Sequence, residues 1–511
     1  MKSQLHRLGR LALVTAAIIT SGCAMTPPRP DPASFGSAWQ GVACKTFDVP
    51  DSIAAQSDCG FVTAPEQYED PRGRTIQLAV VRVRSTADLP ASNPLFVEQG
   101  GPGDTTIGVF VNLALPGKTP GLTAILKDRD LIFVEERGTR YSRPFLSCPE
   151  VTAHKIAVAR GEREATDPGW IKACNDRFRA QGINPAAFNT RENAADIFFV
   201  AETLGYRQFS FYGGSYGTLL GQYVIAQTGA HKAALVSAIL DGVVRPDIDF
   251  NLASSHTISH ALRNVFHDCA QDPQCSQAYP DLERKFLAIV DQLNRKPIPI
   301  TLTVPSTKEK IASRIDGLAF VDGILPALYG TSEKMDVPWL IHAASLGDFS
   351  WIEAPLSGAL AMGNAREMYH TVMCARTNSL SVTPAQVLPT PYPQLLPLGK
   401  READGVRNAC EVIKVGLKPP FAYANPDIPT LIFNGAYDPV TPRPYGEAVS
   451  RQFKTSDVYT FPNVGHIALI LKPGLPAAAC SAQIARDFLN KPDKRPDSSC
   501  LTQLKPVFSF K

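Results

Sequence analysis

The chain has 511 residues, of which 44% are hydrophobic and 19% are charged, a composition typical of a globular protein and not of a disordered one. The formal net charge is only +3 and there is no basic stripe with interleaved aromatic residues, so we expect no nucleic-acid partner. A chain of this length can form one large domain or two.

Residues 1–24 have the pattern of an export signal. Basic residues precede an apolar run of about ten residues, which is too short to cross a bilayer but fits a secretory signal. The stretch TSGC that ends at Cys23 resembles a bacterial lipobox, in which the cysteine becomes the lipidated first residue; ordinary cleavage after Ala24 is the alternative. We therefore predict a signal peptide of the lipoprotein type, a tether over 25–38, and a protein that is attached through Cys23 to the periplasmic side of the bacterial cell envelope or is secreted.

Apolar runs typical of buried strands alternate with helical patterns in residues 39–245 and 426–511. Asn189, with Glu192 three residues later, marks the start of one helix, and Gly205 marks its end. Strand–helix–strand units with continuously apolar strands predict an α/β fold, a mostly parallel sheet flanked by helices on both faces. The predicted strands are 76–83, 94–98, 131–134, 209–212, 234–240, 430–433 and 458–461.

The stretch QGGPG at 99–103 follows an early predicted strand. Glycines leave the backbone amides bare and let the backbone approach a substrate closely, so this loop suits the donation of hydrogen bonds to an oxyanion. We favour the amide of Gly101 as the donor, with that of Gly100 as the second choice. A simple glycine turn is the alternative.

The stretch GGSYG at 213–217 lies where a predicted strand gives way to a helix. It fits the nucleophile elbow G-x-S-x-G, in which a strained turn presents Ser215 and flanking glycines avoid a clash. The next amide, that of Tyr216, starts the helix and can donate to the same oxyanion. A tight glycine loop without chemistry is the alternative.

Residues 246–425 interrupt the rhythm of strands and helices. Helical stretches at 254–266, 282–293, 315–329 and 364–374 are followed by a proline-rich run at 383–399. We predict that this segment is a large, mainly helical cap or lid domain, inserted before the strand that bears the catalytic acid.

A serine nucleophile needs a base, and the base needs an acid to orient it. His466 lies on a loop after the last predicted strand, and Asp438 follows the strand before it, which gives the chain order Ser, Asp, His of this kind of fold. Asp241, at another strand end, is the competing acid, and we assign it a structural role. The predicted catalytic residues are therefore Ser215, Asp438 and His466.

Eleven cysteines occur, and ten remain if Cys23 is lipidated or removed. An even number in an exported protein indicates disulfides. No CxxC pair occurs, so we expect no metal site. The close spacings favour local pairs, although the sequence alone leaves the connectivity open: Cys44 with Cys59, Cys148 with Cys174, Cys269 with Cys275, Cys374 with Cys410, and Cys480 with Cys500.

With these residues in place, the chain resembles the prolyl and tripeptidyl aminopeptidases among the α/β-hydrolases, over residues 60–511. QGGPG is similar to the family's H-G-G-P-G, with Gln99 in place of histidine, and 135–142 is similar to its D-x-R-G-x-G-x-S, with Glu135 and Arg140 as departures. The segments TRENAADIFFVAETLGY, YGGSYGT, LDGVVRPD and PTLIFNGAYDPVTP are similar to the secreted bacterial branch.

The resemblance implies a cofactor-free and metal-independent serine hydrolase that removes residues or tripeptides from the N-termini of peptides. The secreted branch often carries an acidic residue just after a cap cysteine, and here Cys374 is followed by ARTN, without an acid. Glu98 and Glu136 are the alternative anions for a substrate's amino group, although ordinary salt-bridge or solvated roles compete. A carboxylesterase or amidase acting on small molecules is the second hypothesis, and a catalytically inactive binding protein is the third.

Overall fold

The computed structural model describes residues 29–361 and 365–511. Its main feature is a sheet of nine strands in the order β1-β2-β3-β5-β4-β6-β7-β10-β11. The six strands from β5 to β11 in that order run parallel, and β1, β2 and β3 join them by antiparallel pairing. The strands of this sheet are β1 (Trp39–Gly41), β2 (Ser57–Pro65), β3 (Thr75–Val83), β4 (Leu95–Glu98), β5 (Leu131–Val134), β6 (Gln208–Gly214), β7 (Ala234–Asp241), β10 (Thr430–Gly435) and β11 (Ser456–Phe461).

All seven strands predicted from the sequence are present, most of them longer by one to three residues. β1 and β2 were not predicted, since β1 has only three residues and β2 carries polar residues and Gly60 among its apolar ones. The strand order, with β5 and β4 exchanged relative to the chain and an antiparallel strand next to β5, is that of the α/β-hydrolase fold.

Helices cover both faces of the sheet, as the apolar strands require. Successive residues of β6 alternate between the two cores: Phe209 and Phe211 pack with α5 and α6 on one face, and Tyr212 packs with α2 and α17 on the other. Asn189 caps α5 by accepting from the amides of Arg191 and Glu192. The helices of this layer and its flanks are α1 (Asp51–Ala54), α2 (Pro120–Leu126), α3 (Glu150–Ala159), α4 (Gly169–Ala180), α5 (Thr190–Thr203), α6 (Tyr216–Gln227), α16 (Arg443–Ser450) and α17 (Pro476–Asn490).

The chain between β7 and β10 forms its own, mainly helical layer with a separate apolar core around Phe266, Phe286 and Phe320. A two-stranded hairpin that the sequence analysis did not predict, β8 (Ile298–Thr303) with β9 (Lys310–Ile315), lies inside this segment. Its helices are α7 (Phe250–Gln271), α8 (Pro273–Ala278), α9 (Leu282–Arg295), α10 (Gly317–Tyr329), α11 (Val337–Ser345), α12 (Glu353–Ala359), α13 (Arg366–Ala375), α14 (Pro384–Val387) and α15 (Leu396–Ile413).

Ten cysteines form five disulfides in the pairing favoured from their spacing: Cys44–Cys59, Cys148–Cys174, Cys269–Cys275, Cys374–Cys410 and Cys480–Cys500. The predicted signal peptide, including Cys23, lies outside the described residues. No helix of the described part of the chain has both the length and the apolar character needed to cross a bilayer.

Residues 29–38 do not form the free tether that the sequence indicated. Arg29 pairs with Asp130 at 2.9 Å, and the Gly36 amide donates to the Thr203 carbonyl at 2.7 Å. The ring of Phe35 lies 4.8 Å from the guanidinium carbon of Arg82. The proline-rich composition suggested a linker, but these contacts fix the segment against the sheet and α5.

Candidate active site

Ser215 lies at the turn between β6 and α6. Its backbone has φ 55° and ψ −122°, a conformation that L-residues rarely adopt and that marks a strained position. The Ser215 amide donates to the Asp241 carbonyl at 2.9 Å, which continues the pairing of β6 with β7 up to the turn. The sheet therefore holds the strain and fixes where the serine points.

Steric constraints explain why glycines flank Ser215 at two of the three positions. A Cβ at Gly213 would overlap the carbonyl oxygen of Gly217, and a Cβ at Gly217 would lie 2.7 Å from the carbonyl oxygen of Gln99. Gly214 is different, because its Cβ would meet side chains and no backbone: Ile467 at 3.3 Å and the Tyr212 hydroxyl at 3.4 Å. The outer two glycines of the motif are thus required by backbone packing.

His466 and Asp438 form a buried pair next to this turn. His466 Nδ1 lies 2.8 Å from Asp438 Oδ2. The same carboxylate accepts from the amides of Val440 and Thr441 at 2.8 Å each, and from the Thr441 hydroxyl at 2.6 Å. With these donors, Asp438 is held in one orientation and can in turn hold the imidazole.

The two groups shift each other's protonation. Burial alone lowers the pKa of His466, but the charge and hydrogen bond of Asp438 outweigh it, and the net pKa is raised above the ordinary histidine value. Burial opposes the ionisation of Asp438, yet His466 and the Thr441 donors lower its pKa. Asp438 is therefore an anion at neutral pH and stabilises a protonated His466.

Asp241, the competing acid, has the structural role expected of it. Its carboxylate accepts from the Ala468 amide at 2.9 Å and the Leu469 amide at 2.8 Å, and from the Tyr212 hydroxyl at 3.2 Å. These bonds anchor the loop that carries His466. Burial raises the pKa of Asp241 to about 6.

The glycine loop after β4 lies against the serine. A Cβ at Gly100 would be 2.7 Å from the Ser215 Cβ, so only glycine lets the loop approach this closely. Gly101 has φ 113°, a backbone conformation that favours glycine. Gly100, Gly101 and Ser215 line one cavity, with His466 on its wall, and Tyr216 starts α6 beside it.

This cavity has a volume of about 390 Å³. The hydrogen bonds within the described residues include none between Ser215 and His466, which is common in a catalytic site without substrate. The ring of Tyr329 lies edge-on to His466, with centroids 5.2 Å apart, and its carbonyl accepts from the His466 amide at 2.9 Å. Tyr329 ends α10, so the segment between β7 and β10 supplies part of the wall.

Glu98 and Glu136 do not line either of the two cavities, and their role towards a substrate's amino group stays a prediction. Both are buried, Glu98 accepting from the Thr106 hydroxyl at 3.2 Å and Glu136 from the Asn193 side chain at 2.5 Å. Glu98 has the same strand parity as Phe96, which packs into the core on one face of the sheet. Strand parity therefore places the Glu98 side chain on that face of the sheet.

A third buried acid, Glu135, lies near them and supports the loop by accepting from the Ile107 amide at 2.9 Å. Burial raises the pKa of Glu135 to about 7. Burial and the charge of Glu136 raise the pKa of Glu98 well above its usual range, and burial and the charge of Glu135 do the same for Glu136. The three carboxyl groups lie near one another, and their raised pKa values mean that protonation reduces the charge buried among them.

Asp104 is the carboxylate that lines this cavity, and the sequence did not predict it. It directly follows the QGGPG loop, which was the available signal. Burial raises the pKa of Asp104 to about 6, against the charge of Arg366. Arg366 and Tyr369 of α13 also line this cavity and were missed, because nothing local marks a helix of the inserted segment as part of a distant site.

A second, larger cavity of about 1190 Å³ adjoins the first. Phe250, Arg366 and Tyr369 line both, so the large cavity begins where the small one ends. Its walls come from α3 on the sheet side and from β9, α10, α13 and α15 of the inserted segment.

The one cluster of metal-binding residue types in the described chain is Cys148, Glu150 and Cys174, whose two cysteines form a disulfide with each other.

The family described as TAP-like protein matches residues 396–500, which include Asp438 and His466. The serine protease Hip1 of Mycobacterium tuberculosis (strain ATCC 25618 / H37Rv) is 26% identical over 286 residues, covering 52% of this chain and 52% of Hip1. The chain thus matches about half the length of Hip1.

Two further relatives carry different names. Carboxylesterase B of the same Mycobacterium tuberculosis strain is 25% identical over 490 residues, covering 88% of this chain and 87% of its own. The tripeptidyl aminopeptidase of Streptomyces lividans is 28% identical over 230 residues, covering 42% and 40%. The solved structure of the proline iminopeptidase of Mycobacterium smegmatis is 15% identical in sequence, with a TM-score of 0.35, and the match covers 85% of this chain and 98% of that chain. The strand order is that of an α/β-hydrolase, and the sequence matches show that the chain is similar to the TAP-like proteins and to hydrolases of this fold.

Proposed function

We propose that the protein is a serine hydrolase in which Ser215 is the nucleophile, His466 the general base and Asp438 the residue that orients it. The observation that carries the proposal is the strained turn at Ser215, which opens into the same cavity as His466 while Asp438 holds His466 Nδ1 at 2.8 Å. Strain of this kind persists where the surrounding structure maintains it for a function.

In this proposal the Ser215 hydroxyl transfers its proton to His466 Nε2 and attacks a carbonyl carbon. The developing oxyanion accepts from the amide of Tyr216 and from that of Gly101, with Gly100 as the alternative. His466 returns the proton to the leaving group, and water then releases the acyl group from Ser215 by the reverse sequence. The chemistry needs no metal or cofactor.

As the physiological substrate class we propose peptides, from which N-terminal residues or tripeptides are released. Two of the named relatives support this, the protease and the tripeptidyl aminopeptidase. The large cavity gives a second support, because about 1190 Å³ exceeds what a small ester fills. Asp104 is the carboxylate of the small cavity that can receive an ammonium group. The carboxylesterase relative keeps esters and small amides as the second candidate.

We further propose that the protein acts outside the cytoplasm, after export by the predicted signal peptide and attachment through Cys23 or release. Five disulfides support an oxidising compartment, since such bonds do not persist in most cytosols.

A fluorophosphonate probe tests the nucleophile directly. The probe should label the native protein at Ser215 and leave a Ser215→Ala variant unlabelled, and labelling of both or of neither would overturn the proposal. A panel of aminoacyl and tripeptidyl chromogenic amides beside short acyl esters then separates peptidase from esterase. Acetylation of the N-terminus of a good amide substrate is the control, because an aminopeptidase loses that substrate and an esterase or amidase does not.

A further inference from the structure

Two cations line the large cavity, Arg366 on α13 and Lys155 on α3. Neither takes part in a salt bridge within the described residues, although the charge of Arg366 acts on Asp104. Arg366 packs over the Tyr369 ring at 4.8 Å, and its Nε is buried without a hydrogen-bond partner there. A buried polar atom without a partner is costly, so its presence needs an explanation.

The two cations are close enough to affect each other. Burial, with the charge of Arg366, lowers the pKa of Lys155 to about 8. Lys155 donates to the Ala361 carbonyl at 3.0 Å, which leaves further donors of its ammonium free. The two histidines beside them, His154 and His370, are neutral at pH 7, since burial lowers the pKa of both.

Most other charges of this cavity have a partner or are exposed. Arg401 pairs with Asp322 at 3.0 Å, and Arg160 pairs with Glu309. Asp167 pairs with Arg163 at 2.7 Å, Asp316 caps α10, and Arg314 is exposed to solvent. Glu402 also lines the cavity, and burial raises its pKa to about 7. Arg366 and Lys155 are therefore the lining cations that are partly buried and take part in no salt bridge within the described residues.

We propose that Arg366 and Lys155 form an anion subsite that binds a carboxylate of the substrate. The inference rests on the proposed function, because it names what the substrate carries: a short peptide with a free C-terminal carboxylate, or an acyl group with an acid at its far end. Arg366 stands between the two cavities, so the carboxylate lies in the large one while the reacting carbonyl lies at Ser215. Guanidinium and ammonium donors from two sides match the two oxygens of one carboxylate.

The joined cavities place opposite charges at two ends of a bound substrate. Asp104 lies on the Ser215 side of Arg366 and Lys155 on the far side. An ammonium group on the carbonyl side and a carboxylate in the large cavity would thus each face an opposite charge. The cavity is then selective for short zwitterionic peptides over neutral molecules of equal size.

Binding to the Ser215→Ala protein tests the subsite without turnover. Titration calorimetry with tetra-alanine as the free acid and as its C-terminal amide compares two ligands that differ only in the carboxylate. We expect the acid to bind at least about tenfold more tightly. Arg366→Gln and Lys155→Gln, each added to Ser215→Ala, should bring the two affinities together.

Arg314→Gln is the matched control, since it removes a cation of the same cavity that is exposed, and the preference for the acid should persist in it. Equal affinities for acid and amide in the Ser215→Ala protein, no binding of either, or a preference that survives Arg366→Gln and Lys155→Gln, would each overturn the inference. The fluorophosphonate experiment decides the proposed function separately, so failure of one does not imply failure of the other.

Discussion

The sheet core and the large cavity differ in how their cations are paired. In the core, Arg137 is fully buried, pairs with Asp196 at 2.7 Å and donates to the carbonyls of Glu66 and Ala187. In the cavity, Arg366 and Lys155 are partly exposed and take part in no salt bridge among the described residues. A buried ion pair constrains the fold, because removing one partner leaves an uncompensated buried charge that strongly destabilises the folded state. Charge left without a partner is available to a ligand.

The catalytic candidates belong to the core side of this comparison. Ser215, Asp438 and His466 follow the carboxyl ends of β6, β10 and β11, and each has its backbone or side chain fixed by hydrogen bonds. We therefore expect changes in the core to lower kcat, and changes in the cavity to alter the choice and affinity of substrate.

The largest effect is expected from Ser215→Ala. Removal of the proposed nucleophile should lower kcat by about 10⁶, the size of the loss in triad hydrolases, with circular dichroism and thermal unfolding unchanged. Ser306→Ala, in the turn between β8 and β9, is the control and should keep full activity. A Ser215→Ala protein with near-native turnover would contradict the proposal that Ser215 is the nucleophile.

Asp438→Asn should lower kcat by about 10⁴. The new amide would face His466 Nδ1 as a donor and leave the proton on Nε2, where the imidazole cannot accept the Ser215 proton. Thr441→Val, which removes one hydrogen bond to the same carboxylate oxygen but keeps its charge, should cost far less. Steady-state kinetics of both variants decide the matter, and losses of equal size would mean that Asp438 acts only as a structural acceptor.

Gly213→Ala and Gly214→Ala test whether a glycine of the GGSYG stretch is required because a side chain would clash with the backbone. Gly213→Ala places a methyl group against the Gly217 carbonyl and should lower the free energy of unfolding by about 1–3 kcal/mol and impair turnover. The Gly214→Ala methyl group meets only side chains, Ile467 at 3.3 Å and the Tyr212 hydroxyl at 3.4 Å, and should be tolerated. Urea unfolding measures both, and equal stability of the two variants would contradict the steric account.

The smallest effect is the pH dependence of the native enzyme. His466 must be neutral to accept a proton, so kcat/KM should fall about tenfold per pH unit below its pKa. Asp438 raises that pKa, which places the midpoint above the ordinary histidine value of 6.5. A profile that is flat from pH 5 to 8, or one whose midpoint lies below 6.5, would contradict the pairing of His466 with Asp438.

By itself the sequence determined the fold class, seven of the nine strands of the large sheet and the places of Ser215, Asp438 and His466 after strands, because these follow from local patterns: apolar runs, a glycine-flanked serine, and an acid and a histidine after strands. It also indicated the disulfide pairs from their spacing. The signal peptide and the lipidation of Cys23 stay predictions, since they lie outside the described residues.

Only the tertiary structure decided where the remaining side chains point. Strand parity places Glu98 on the same face of the sheet as Phe96, while Asp104 lines the cavity, and the residue types alone do not distinguish these two acids. Arg366 and Lys155 are 211 positions apart in the sequence and line one cavity because the inserted segment packs near α3. Local sequence sets the elements, but burial and the presence of a partner are set by contacts between distant segments, and those contacts decide which charges stabilise the fold and which are free to bind a substrate.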